Sequence, residues 1–317
     1  MGEPRHQQYP RKLTPNTGEE TVSFQTINGE VLTFTNRPGE YGVNRDQSLV
    51  LATAACLEAI RCALEESVPL PTMRALDVCC GAGPAALALK TLGVGYVEAS
   101  DVTDVAVTRC KVHASQNDIV LDRIVRNDLL GDSVDAKLRF HVIVSNPPCA
   151  PSRSVDHQMP EQLQTAIDGG KSGAELTVRL IRSARDYLYE GGRLVVMVPS
   201  TIAFADVVGA LGESFGQAWR MAACSPTASK YCLSDDPFAK DLLEERRRGS
   251  VFVWKGDDGW LWRLSWILVA TRGASAKPGA GLCYAPYGMR NLDDDYWRAM
   301  KERGLSRSNL FEPAVRK

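Results

Sequence analysis

The chain has 317 residues, 44% of them hydrophobic, and 37 Lys and Arg against 38 Asp and Glu give a formal net charge of −1. That length can bury one full α/β core plus an accessory element, while so even a charge balance leaves no electrostatic footprint for long stretches of nucleic-acid backbone. The nine cysteines include no Cys-x-x-Cys pair and none of the spacings of a zinc site or disulfide framework, so no metal is expected and a reducing, cytoplasmic interior is.

Residues 1–20 combine charges and prolines with little apolar content, which predicts a flexible leader and no signal peptide. No apolar run comes near the roughly 18 residues of a membrane span, so a soluble protein is expected. Val22–Thr26 and Val31–Phe34 alternate in polarity around Asn28-Gly29, the signature of a β-hairpin. An apolar helix follows from Leu49 to about Leu64, with Asp46 or Ser48 as its cap. Hairpin and helix form an N-terminal extension over residues 21–70.

Residues 71–273 read as the main domain. Ala75-Leu76-Asp77-Val78 is a short buried strand that runs into Cys79-Cys80-Gly81-Ala82-Gly83-Pro84 and then into a helix rich in Ala and Leu, Ala85 to Leu92. Gly81 and Gly83 let the backbone turn tightly and approach a ligand at the carboxyl end of the strand, where open α/β sheets bind. The full Gly-x-Gly-x-x-Gly pattern is not met, because position 86 is Ala. A second strand, Tyr96 to Ser100, ends at Asp101, where an acid can accept hydrogen bonds from both hydroxyls of a ribose. A third acid, Asp128, follows Ile124-Val125-Arg126-Asn127, and the apolar strand Phe140 to Val144 leads into Asn146-Pro147-Pro148-Cys149.

After a glycine-rich segment, Ala166 to Gly173, a helix ends at Gly191-Gly192 before the strand Leu194-Val195-Val196. A helix from Ala203 to about Gly212 and strands Ala218–Ala223 and Leu264–Ala270 complete a seven-stranded sheet. An insertion over about residues 228–259 places Tyr231, Phe238 and Trp254 in a charged stretch, and Asp241 to Arg248 reads as a solvated helix face. A loop of that length inside a compact sheet tends to be functional or mobile, so it is expected to cover an acceptor pocket. Residues 274–317 read as a linker and tail.

The series Asp-x-x-x-Gly-x-Gly, Asp101, Asp128 and Asn-Pro-Pro-x resembles the class I S-adenosylmethionine (SAM) methyltransferases of the Asn-Pro-Pro-Tyr type. Within that group it looks most like the HemK-type glutamine amide methyltransferases, whose Ala-x-x-Gly-Gly-x-x-Gly segment matches Ala166 to Gly173. The resemblance covers roughly residues 20–210, with a weaker continuation to about 273. It implies an α/β fold, a Rossmann-like, mostly parallel seven-stranded sheet, with SAM as the cofactor. Asp77, Cys79, Gly81, Gly83, Asp101, Val102, Asp128, Leu129 and Asn146 would contact that cofactor. The Asn146 side-chain oxygen and the Pro147 carbonyl would orient the acceptor nitrogen.

Two departures bear on the acceptor. Cys149 stands where those enzymes carry an aromatic ring that stacks on a flat target; Tyr231 or Trp254 could cover the target instead, or the target is not planar. Residues 1–70 do not read as the helical bundle with which HemK-type enzymes grip their protein substrate. In those enzymes the loop before the first helix passes the methionine end of the cofactor, and Gly42 to Asp46 lies there, with Arg45 and Cys149 as further substrate candidates. The expected activity is therefore methylation of an amide or amine nitrogen, on a small molecule or a protein glutamine. A nucleic-acid base methyltransferase and a non-catalytic SAM-binding module are the alternatives; near-neutral charge and the absent aromatic oppose the first.

Overall fold

The computed structural model describes residues 18–38, 42–131, 138–155, 157–224, 229–233, 237–248, 250–255 and 259–273. The leader, the linker and the tail expected from sequence fall almost wholly outside them. Strands β1 (Glu20–Gln25) and β2 (Val31–Asn36) form the expected antiparallel hairpin. Its alternation buries Phe24, Leu32 and Phe34, and the two phenyl rings stack 5.5 Å apart.

Helix α1 (Arg45–Glu65) begins earlier than expected. Its cap is Asn44, neither Asp46 nor Ser48: Asn44 has extended backbone angles, and its side chain accepts the Gln47 N–H at 3.1 Å. Gln47–Glu65 has a mean hydropathy of 1.4 and is, by length and composition alone, apolar enough to cross a membrane. This corrects the expectation that no segment reaches that length. Ala55, Cys56, Ala59 and Cys62 of this helix are buried, however, and it packs on a helix and strand of the main domain, the behaviour of a core helix.

The main domain runs β3 (Arg74–Val78), α2 (Pro84–Thr91), β4 (Tyr96–Asp101), α3 (Asp104–Gln116), β5 (Arg123–Arg126), β6 (Phe140–Ser145), α4 (Glu161–Ile167), α5 (Glu175–Tyr187), β7 (Leu188–Pro199), α6 (Phe204–Phe215) and β8 (Trp219–Cys224). It closes with β12 (Ser265–Thr271), so the seven-stranded sheet has the order β5-β4-β3-β6-β7-β12-β8. The strands are parallel except β12, which is antiparallel to both neighbours. The run Leu194 to Val198 in β7 is buried throughout, because layers cover both faces of the sheet. One core gathers α5 and α6; the other gathers α1, α2 and the hairpin, so the N-terminal extension shares a core with the sheet. Winding reverses between β3 and β6, and the crevice of such a sheet opens at the carboxyl ends of those two strands.

The insertion supplies β9 (Ser229–Leu233), α7 (Pro237–Arg247), β10 (Trp254–Lys255) and β11 (Trp260–Arg263). The strands form a separate antiparallel sheet in the order β10-β11-β9. Ala239, Leu242, Val251, Val253 and Leu261 build its own small core.

Candidate active site

Three of the five residues after β3 have positive φ: Cys79 at 55°, Gly81 at 53° and Gly83 at 85°. The loop thereby folds back on the sheet. Its Cys80 N–H donates to the Ser100 carbonyl at 2.9 Å, and its Gly81 N–H donates to Asp101 Oδ2 at 3.0 Å. Gly83 then starts α2, with Pro84 in the first turn. A Cβ built on Gly81 meets nothing within 4 Å, so the open space of the crevice begins directly above this backbone.

Two carboxylates flank the loop. Asp101 Oδ1 accepts from the backbone N–H and the hydroxyl of Thr103 at 3.0 and 3.1 Å. With two bonds on Oδ1 and one on Oδ2, a lone-pair site remains on Oδ2, and a ligand hydroxyl can replace that of Thr103 on Oδ1. Asp77 is buried and accepts the Ala86 N–H at 3.0 Å, tying the end of β3 to the first turn of α2. Burial pushes its carboxyl up to about 7; the Ala86 N–H opposes the rise and the Asp101 charge adds to it.

This shift has a direction that stability measurements can read. The folded chain holds a proton on Asp77 that the unfolded chain releases above its ordinary value of 3.8. Between those limits the native state binds more protons than the unfolded state, so the Asp77 contribution makes stability fall as pH rises from about 4 to about 7. Denaturation midpoints for wild type and Asp77→Asn across this window are expected to show a shallower decline in the variant. Parallel profiles would remove Asp77 as the source.

On the other side of the crevice, Ser145 Oγ donates to the Val78 carbonyl at 2.7 Å and locks the end of β6 to β3. Asn146-Pro147-Pro148-Cys149 follows and is clamped by backbone. The N–H groups of Cys149 and Ala150 both donate to the Ile167 carbonyl, at 3.1 and 2.7 Å, and the Gly169 N–H donates to the Ala150 carbonyl at 2.8 Å. A Cβ on Gly169 would stand 2.5 Å from the Gly173 carbonyl oxygen and 2.6 Å from Cys149 Cα, so only glycine permits this contact. The glycine-rich segment therefore holds the Asn-Pro-Pro loop in place. Burial pushes the Cys149 thiol up, with the Arg263 charge opposing, which makes it a poor thiolate nucleophile.

Loop, acids and Asn-Pro-Pro segment line one cavity. Of the residues expected from sequence it brings together Asp77, Cys79, Gly81, Asp101, Val102 and Asn146, with Pro148. Gly83, Pro147, Asp128, Leu129 and Cys149 are not in its lining. Asp128 instead pairs with Arg179 at 3.0 Å, both side chains more than half exposed, and Leu129 is buried at a φ of 51°. The side chains of Arg45, Tyr231 and Trp254 fall outside the described residues. No described residue of the insertion lines the cavity; α4 does, through Gln162, Thr165 and Ala166.

Sequence reasoning missed several lining residues. Gln47, Ser48 and Leu51 come from the start of α1, Thr103 from the cap of α3, Val105, Ala106 and Arg109 from α3 itself, and Gln162 and Thr165 from α4. Thr103 could have been found as a helix cap two residues after Asp101: its hydroxyl accepts the Ala106 N–H at 3.2 Å.

A family model described as the methyltransferase small domain matches residues 52–225, more than half of the chain. Over 148 residues the chain is 28% identical to a candidate protein N5-glutamine methyltransferase of Methanocaldococcus jannaschii, covering 47% of this chain and 73% of that protein. It is 31% identical over 143 residues to the release factor glutamine methyltransferase of Rhodopirellula baltica, and 30% identical over 135 residues to the ribosomal protein uL3 glutamine methyltransferase of Bordetella pertussis. These matches cover 43% and 41% of this chain, and 47% and 45% of the two bacterial proteins. The chain thus spans less than half the length of each bacterial relative.

Proposed function

This chain belongs to the methyltransferase small domain family, and from that premise we propose that it transfers the methyl group of SAM to an amide nitrogen, with the side chain of a protein glutamine as the acceptor. The observation that carries the reading is the cavity that Gly81, with open space above its backbone, Asp101 and Asn146 line together. SAM, bound there, supplies an electrophilic methyl group on a sulfonium sulfur. Gly81 offers close backbone approach, and Asp101 takes the two ribose hydroxyls.

The chain's own task is then to position a weak nucleophile. An amide nitrogen has a delocalised lone pair and two N–H donors. The Asn146 side-chain oxygen and the Pro147 carbonyl are two acceptors at the end of β6. Accepting both hydrogens fixes the direction of the lone pair and eases the positive charge that develops on nitrogen. Anchoring of this segment by the Ile167 carbonyl and the Gly169 N–H supports that role. The relatives whose names specify protein glutamine favour the amide over a free amine. An acceptor among release factors or ribosomal proteins carries with it a cytoplasmic site of action.

Calorimetry tests the cofactor half. Asp101→Ala is expected to weaken SAM binding by about 1.5–3 kcal/mol, the range for hydrogen bonds to a charged group. Equal affinity in wild type and variant would remove Asp101 from the site.

A further inference from the structure

The cavity wall carries a cation that no sequence motif marks. Arg109, on α3, lies among the lining residues and is 7% exposed. Among the described lining residues it is the sole Lys or Arg, facing a cavity whose acids are Asp77 and Asp101.

Arg109 is held in place from two directions. Its Nη2 donates to the Thr35 carbonyl of the hairpin and, at 3.2 Å, to Nε2 of His113 one turn along α3. His113 is buried, and its Nε2 also accepts the Thr35 N–H at 3.2 Å. Its Nδ1 lies 3.2 Å from the Ala82 carbonyl oxygen, and its Nε2 lies 3.3 Å from the Thr35 carbonyl oxygen. One imidazole thereby ties the guanidinium, the hairpin and the glycine loop together. Side-chain rotamer freedom, which opposes anion binding by a mobile arginine, has already been surrendered in folding.

We propose that Arg109 receives the α-carboxylate of the cofactor's amino-acid tail. This rests on the SAM reading above. The adenosine part of SAM carries no anion and its ribose is matched to Asp101. Of its remaining groups the sulfonium and the ammonium are cations, and the carboxylate is the one anion. A planar guanidinium is matched to a carboxylate in shape as well as charge. Gly42 and Val43, which line the cavity from the loop before α1, enclose the same space.

The test is calorimetry with three probes: S-adenosylhomocysteine, its decarboxylated analogue that keeps the amine, and methylthioadenosine, which lacks the whole tail. Wild type should bind S-adenosylhomocysteine at least about 10-fold more tightly than the decarboxylated analogue, the scale of a charge-assisted hydrogen bond. In Arg109→Ala that ratio should collapse towards one while methylthioadenosine affinity stays within about three-fold. Should Arg109→Ala fail to fold, Arg109→Lys, which keeps the charge and loses the fork, should reduce the ratio partway. Equal binding of the first two probes by wild type would overturn the proposal, as would a variant that weakens all three alike, since that is the mark of a merely structural arginine. Wild type that binds none of the probes would overturn the SAM reading and this proposal with it.

Discussion

Replacing Asn146 by alanine should lower turnover by about 10² or more, the scale seen when one pre-organised polar group is removed from a transition state, with SAM affinity unchanged within a few-fold. The separation follows from where the residue sits. Asn146 extends from the end of β6, whose position is fixed by the Ser145 hydroxyl on the Val78 carbonyl and by the backbone clamp on Cys149 and Ala150. Truncating its side chain therefore leaves the Gly81 loop and Asp101 where they are. What is lost, on the proposed mechanism, is the acceptor that would orient the target nitrogen. Steady-state kinetics combined with calorimetry would separate the two effects, and normal turnover in the variant would take Asn146 out of the mechanism.

A comparable effect on stability is expected from Glu58→Ala. Glu58 on α1 is buried between Arg193 of β7 and Arg220 of β8: it pairs with Arg193 at 3.6 Å and hydrogen-bonds Arg220 more closely. Arg193 also donates to the Glu58 carbonyl at 2.9 Å and to Glu65 at 2.5 Å. The side chains of Glu58 and Arg193 are each 4% exposed, so removing the carboxylate takes the acidic partner from Arg220 and leaves Arg193 with Glu65 alone. A broken buried pair of this kind costs about 3–5 kcal/mol. Chemical denaturation of Glu58→Ala should show that loss. A double replacement, Glu58→Leu with Arg220→Met, should be less destabilised than the sum of its single variants, because it also removes the guanidinium that Glu58 leaves unpaired. A loss below about 1 kcal/mol in Glu58→Ala would mean that water reaches the cluster, as it does for exposed pairs. Since α1 carries Gln47, Ser48 and Leu51 into the cavity wall, this cluster also fixes one side of the site.

Much of this arrangement was legible in the chain because glycine, proline and acid positions report backbone geometry directly. Gly81 and Gly83 require left-handed angles, Asp101 ends a strand, and Asn146 follows one; each is a local statement that the fold then places at one sheet edge. Asn28-Gly29 marked the hairpin for the same reason. What sequence did not yield depends on long-range packing. Helix α4 buries no residue, so no apolar stripe betrays it, although it lines the cavity. Arg109 looks like an ordinary helix-face charge until the hairpin is folded against α3 and His113 bridges them. The early cap of α1 depended on which of several polar residues takes extended angles, and composition does not distinguish Asn44 from Asp46 or Ser48. The side chains of the aromatic residues that suggested a cover over the pocket lie outside the described residues, and the buried aliphatic residues of the insertion form a small core of their own.

The most direct test of the central claim is to locate the transferred methyl group. The full-length protein, SAM with an isotopically labelled methyl, and release factor and ribosomal protein uL3 from the same cells as candidate acceptors would be incubated, and the products mapped by mass spectrometry and NMR. The label is predicted on the side-chain amide nitrogen of a glutamine, and to vanish in Asn146→Ala. Label on oxygen, carbon or a nucleic-acid base, or a product that forms equally well without Asn146, would contradict the account.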